Sequence, residues 1–140
     1  MNRTIYHRDV AMRKFGMYYT VQGGTNRYRQ TISEALCFAK SRLLPRHRSI
    51  EIEVVVKKNL IYEADVIDAD HERHFIMRVR KGMDREDLIT AVFHEFVHIK
   101  QAVRKEFPLF VPSDIPYLER PWEIEAYRMQ EEMLKAFKEG

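Results

Sequence analysis

A chain of 140 residues is long enough for one compact domain with a real core and too short for two comfortable ones. Hydrophobic residues at 45% and charged residues at 32% describe an ordinary soluble globular protein and argue against wholesale disorder. A net charge of +3 does not demand a nucleic-acid partner, and the basic group Lys40, Arg42, Arg46, His47 and Arg48 reads as solvated surface before it reads as a phosphate site.

The N-terminal "MNRTIYHRDV" lacks the apolar stretch of about 7–15 residues that a secretory signal needs, and no run of about 18 apolar residues occurs anywhere. A cytoplasmic protein without a membrane anchor is expected. Met17 to Val21 reads as a short strand stopped by Gly23-Gly24. Thr31-x-x-Glu34 has the form of a capping box and predicts a helix from Thr31 to Leu44, ended before Pro45. Within it, the single cysteine, Cys37, excludes both an internal disulfide and a multi-cysteine zinc site. Its apolar neighbours make it a small buried hydrophobe.

"IEIEVVVKK" alternates, with Ile50, Ile52, Val54 and Val56 facing one way and Glu51 and Glu53 the other, the pattern of a strand with one buried face. Asn59 marks a turn, and Leu60 to Ile67 reads as a second strand. Asp68 to His71 is expected to be a solvated loop, since it lacks the glycine and further ligands of a calcium loop. His74 to Arg80 alternates again. Together these segments predict a two- to four-stranded, mostly antiparallel sheet.

Asp84 is the expected N-cap of the next helix, with Glu86 and Asp87 in its first turn. That helix should run to about Phe107, where Pro108 ends it. Leu88, Ile89, Ala91, Val92, Phe93, Phe96, Val97 and Ile99 surround most of its circumference, and a helix apolar nearly all round is buried. Residues 108–121 carry four of the five prolines and form an extended loop. Pro121 suits the first position of a last helix, reaching about Lys138. The order predicts one α+β domain over residues 1–140.

The central helix carries "HEFVH". Residues four apart on a helix differ by about 40° in direction, so His94 and His98 project side by side. Two imidazole nitrogens so placed can each approach a zinc ion, and Glu95 is adjacent enough to reach a water without being a ligand. Three polar residues on an otherwise apolar helix conflict with its burial, which is how a functional site looks. A third ligand must be a carboxylate, because His98 is the last histidine. On the final helix Trp122, Ala126, Met129, Met133, Ala136 and Phe137 form an apolar stripe. Glu125 falls about 70° from the centre of that stripe and Glu123 about 90° on the opposite flank. Spacing therefore leans to Glu125 and leaves Glu123 as the alternative.

"HEFVHIKQ" preceded by an alternating strand, and followed after a loop by "RPWEIEAYRMQEEM", resembles a small gluzincin-type zinc metallopeptidase. It is similar to the minimal one-domain forms and to ImmA/IrrE-like domains over about residues 50–135. The resemblance implies a zincin-like domain with His94 and His98 as zinc ligands, Glu95 as general base, and Glu125, before Ala126, as third ligand. It further implies that the strand His74 to Arg80 is the sheet edge that pairs with an extended peptide, so the expected partner is a protein or peptide substrate. The chain departs from the families at Met129, an aspartate in some gluzincins, and at Glu132 to Lys135, where many ImmA/IrrE-type sequences have an "LLMP"-like tail.

On this reading a zinc-activated water attacks the scissile carbonyl, Glu95 moves the proton, and Tyr117 in the proline-rich loop is the candidate oxyanion stabiliser. A catalytically silent zinc-bearing module of the same fold is the alternative. Nucleic-acid binding through the basic stretch is the remaining one.

Overall fold

The computed structural model describes residues 8–14, 16–69, 71–106 and 114–140. The elements run β1 (Arg8–Lys14), β2 (Met17–Gln22), α1 (Asn26–Leu43), β3 (Ile50–Lys57), β4 (Ala64–Asp68), β5 (His74–Arg80), α2 (Arg85–Arg104) and α3 (Pro121–Glu139), with a 3-10 turn at Tyr117–Glu119. This is an α+β arrangement, three helices packed on a mixed sheet.

The sheet has five strands in the order β1-β2-β3-β5-β4. Its outer pairs, β1 with β2 and β4 with β5, are antiparallel, but β2–β3 and β3–β5 are parallel. The expectation of a mostly antiparallel sheet is corrected on this point. Two features cause the difference. Helix α1 separates β2 from β3, and a crossover of that length returns the chain in the same direction. The β4–β5 hairpin then folds so that β5, with Phe75, Met77 and Val79 buried, takes the interior position. β4 keeps the edge, with Asp65 paired to Arg78 of β5. The edge on this side of the sheet is thus β4, not His74 to Arg80 as the resemblance implied.

Helix α1 starts five residues earlier than the Thr31 reading. Thr25 is the N-cap, accepting from the Tyr28 amide at 3.1 Å. Thr31 lies inside the helix, buried, with its hydroxyl donating to the Arg27 carbonyl at 3.0 Å, the back-bond a mid-helix threonine makes. Glu34 pairs with Arg85 of α2 at 3.3 Å instead of closing a capping box. The Tyr28 hydroxyl also joins layers, donating to the Arg80 carbonyl and accepting from the Met83 amide, and so fixes where α2 begins. Lys40 is not surface: it is fully buried and its Nζ donates to the Leu44 carbonyl at 2.6 Å. This removes one member of the expected basic patch. Cys37 is half-buried against the core, with Sγ 3.7 Å from the Tyr19 hydroxyl.

Asp84 caps α2 as expected, accepting from the Asp87 amide at 2.9 Å. The helix ends at Arg104, before the proline. Lys105 adopts a left-handed conformation (φ 53°), and its amide and that of Glu106 bond back to the Ala102 and Gln101 carbonyls. That is a Schellman ending made without glycine. The expected terminus at Phe107 and Pro108 lies outside the described residues. Val92, Phe93 and Phe96 of α2, Ile32 and Leu36 of α1, and Ile52, Val54, Phe75 and Met77 of the sheet share one core, so α1 and α2 cover the same sheet face. Among the described residues no helix is long and apolar enough to cross a membrane.

Gly16, between β1 and β2, shows how closely the layers approach. Its φ is +78°, and a Cβ there would stand 2.9 Å from the His47 carbonyl oxygen. Gly82 has φ +88° but nothing within 4 Å. Replacing Gly16 by Ala should cost about 1–3 kcal/mol beyond the cost of Gly82→Ala, because strain and a backbone clash act together. Chemical denaturation of the two variants checks this; equal losses would mean that the close approach is not a constraint.

Candidate metal centre

Helix α3 lies along α2, and between them the side chains of "HEFVH" meet one carboxylate. It belongs to Glu123. His94 Nε2 is 3.0 Å from Glu123 Oε1, and His98 Nε2 is 3.2 Å from the same carboxylate. The imidazole rings stand nearly perpendicular, with centroids 5.0 Å apart, as the i and i+4 positions require. His94 and Glu123 are buried and His98 is half-buried. One ligand atom from each of the three lies within 4.8 Å of the others, so the group could hold a metal ion.

The outer nitrogens show what the inner ones offer. His98 Nδ1 is 2.8 Å from Gln101 Oε1, and His94 Nδ1 is 2.7 Å from Gln130 Oε1. The amide of Gln101 has a determined orientation: its Nε2 donates to the Trp122 carbonyl at 2.9 Å and to Glu125 Oε1 at 2.8 Å, both acceptors only. Gln130 Nε2 likewise donates to Glu131 Oε2 at 3.1 Å. With amide oxygens facing them, both Nδ1 atoms carry hydrogen, and both Nε2 atoms are directed at Glu123. Where both Nε2 atoms give up their protons, the two imidazoles and the carboxylate supply three donors to one cation. Around zinc, tetrahedral donors stand about 3.3 Å apart, close to the separations found. The residues fit the ion.

The expected ligand Glu125 is placed otherwise. Its Oε2 accepts from Lys100 Nζ at 3.2 Å and its Oε1 from Gln101. It lies behind His98, holding the amide that orients the ring. The preference for Glu125 over Glu123 is corrected, for a reason that lies in the helix rotation. The inward face of α3 is Glu123, Ala126, Gln130, Met133 and Phe137, of which Glu123, Ala126 and Met133 are buried. That face is turned about 45° from the stripe that hydrophobicity alone defines. A stripe defined by hydrophobicity alone leaves out Glu123 and Gln130 because they are polar. Here they turn inward because two histidines are waiting for them.

Glu123 and Glu95 have opposite electrostatics within one small site. Burial raises Glu123, but hydrogen bonds from His94 and His98 and their charges outweigh it and hold its carboxyl at about 2. For Glu95 burial wins against the pull of His98 and His94 and pushes the carboxyl up to about 7. His98 is moved the other way from its burial, upward, by hydrogen bonds to Glu123 and Gln101. The result is one carboxylate that stays charged and another poised to exchange a proton near neutrality.

Glu95 and His94 line a cleft of about 170 Å³ that Ala64 of β4, Tyr117 and Tyr127 also border. Tyr117 lines the same cleft as His94 and Glu95. Burial, a hydrogen bond to Tyr127 and the nearby Glu123 charge all raise its phenol, so it keeps its proton. Gln101, Gln130 and Lys100 were not singled out in the sequence, and Tyr127 is a weaker candidate there than Tyr117. Tyr127 packs on His94, ring centroids 4.5 Å apart. Tyr127 and Gln130 are four and seven residues from Glu123, and Gln101 is three from His98, so helical spacing would have found them once the ligand was known. Asp114 and Glu119 are exposed, and Glu106 pairs with Lys100 at 2.8 Å.

Protein-family models, curated proteins and solved structures give no match to this chain.

Proposed function

We propose that the protein is a zinc-dependent metallopeptidase that holds its ion with His94, His98 and Glu123 and uses Glu95 as general base. The observation that carries this reading is the pairing of a three-donor pocket with a separate buried carboxylate at about 7 on the cleft side of it. Three protein ligands leave zinc a position for water, the composition of a catalytic site and not of a closed structural one. Zinc, when bound there, would lower the pKa of that water and polarise a carbonyl.

The chain's own groups do the rest. Glu95 takes the proton of the attacking water and delivers it to the departing amine, a task suited to a carboxyl near neutrality. Gln101 and Gln130 hold the two rings in the tautomer that points Nε2 inward. Tyr117, protonated and at the cleft, donates to the oxygen that gains charge, with Tyr127 holding its hydroxyl. The free edge of β4 borders the same cleft and offers backbone pairing to an extended peptide, so a protein or peptide is the substrate class. A cytoplasmic setting fits the lone cysteine.

The test is hydrolysis of a mixed library of unstructured peptides by protein whose zinc has been measured. Activity that a chelator abolishes and added zinc restores is the expected result. Stoichiometric zinc without any hydrolysis would favour a binding module. A folded protein that takes up no zinc would end the proposal.

A further inference from the structure

The helix-free face of the sheet carries a second convergence of donors. Ile50, Ile52 and Val54 of β3 enter the core, so Glu51 and Glu53 project from the other face. Along β5 the inward turn of Phe75, Met77 and Val79 sends His74 to that same outer face. Parallel pairing sets Glu51 opposite His74. The turn ahead of β5 is tied to both strands: the His74 amide donates to the His71 carbonyl at 3.0 Å and the Glu51 amide to the Arg73 carbonyl at 2.9 Å. These bonds bring His71 back over β3, its Nε2 3.1 Å from Glu51 Oε1. The rings of His71 and His74 are 5.2 Å apart, and ligand atoms of Glu51, His71 and His74 all lie within 4.8 Å of one another. Glu53 Oε2 stands 2.5 Å from His74 Nε2.

We infer that Glu51, His71 and His74 form a second divalent-cation site that fastens the β4–β5 turn to β3, with Glu53 holding the His74 ring. Two imidazoles and a carboxylate suit zinc or a neighbouring first-row ion; magnesium and calcium prefer oxygen alone. The three donors stand on the helix-free face of the sheet, where they tie the turn to β3. The sheet holds Glu51, Glu53 and His74 in place, and only His71 comes from the turn. Its side chain and that of Glu51 are 49% and 44% exposed, so the ion enters without opening the core. None of these residues belongs to the α2–α3 site, and the inference stands independently of the peptidase reading.

The experiment is a zinc titration of metal-stripped full-length protein by calorimetry, with bound zinc counted after equilibrium dialysis. The parent, Glu123→Gln, His71→Ala and the double variant are compared. The parent should bind two ions, each single variant one, and the double variant none. In Glu123→Gln, zinc should shift the imidazole NMR signals of His71 and His74, and adding His71→Ala should weaken the remaining binding about tenfold or more. His71 is on the exposed turn, so its replacement leaves the core intact. Residual zinc in Glu123→Gln that ignores the loss of His71, or no residual zinc at all, would overturn the inference. A single ion lost with Glu123 and kept without His71 would do so while leaving the α2–α3 site standing; the converse pattern would uphold this site alone.

Discussion

Replacing Glu123 by Gln should lower zinc affinity at the α2–α3 site by more than about a hundredfold, while Glu125→Ala should cost only about 10–100-fold. The ranking follows from where the two carboxylates sit. Glu123 is the only carboxylate within 3.2 Å of both imidazole Nε2 atoms among the described residues, and glutamine would present a neutral oxygen in place of a charge. Glu125 acts one bond further out. Its loss frees the Gln101 amide to turn, so that an N–H faces His98 Nδ1 and the ring no longer keeps its inward lone pair. Competition against a chromophoric chelator measures both constants. A protein that tolerates Glu123→Gln but loses zinc with Glu125→Ala would reverse the assignment.

Glu95→Gln should leave zinc affinity nearly unchanged and reduce hydrolysis by about 10²–10⁴-fold, the contribution of a positioned general base. Its second effect is on the stability of metal-free protein. Burial holds the Glu95 carboxyl at about 7 in the folded chain, against about 4.5 when unfolded. Between those values the folded state binds the extra proton, so its stability falls as pH rises, by up to about 3 kcal/mol once pH exceeds 7. Glutamine never ionises. The stripped variant should therefore match the parent below pH 4.5 and unfold at progressively higher temperature than the parent from there to above pH 7. Parallel curves would mean that Glu95 ionises freely and is not enclosed between the helices. Loss of zinc along with activity would show instead that Glu95 is a ligand.

Much of the site's raw material is readable before any folding is considered. The four-residue spacing of His94 and His98 and the neighbouring Glu95 are properties of one helix, and local periodicity is enough to show that they share a face and that the helix is buried. Asp84 as N-cap and Pro121 at the start of α3 are equally local, since each satisfies or omits backbone groups within its own turn. Local signals also mislead where a stronger neighbour competes. Thr31 and Glu34 have capping-box spacing, yet Thr25 after the Gly23-Gly24 turn starts the helix first.

What the chain order does not reveal is which distant groups meet. Strand alternation identifies the buried face of β3 and β5 but carries no information about neighbours. That β5 enters between β3 and β4, leaving β4 as the edge beside the cleft, depends on the competition among strands for the interior. The choice between Glu123 and Glu125 is of the same kind. It depends on a helix rotation set jointly by Ala126 and Met133 in the core and by Glu123 and Gln130 on the histidines. The outer-face cluster, too, unites residues that are 20 or more positions apart, through parallel register and the turn ahead of β5. The amino-acid sequence by itself determined the helix that carries the two imidazoles and the base, because helical geometry is repeated every few residues. Only the tertiary structure decided the third donor and the strand edge, because both arise from packing between elements, where burial and electrostatics are shared and cannot be assigned to either segment alone.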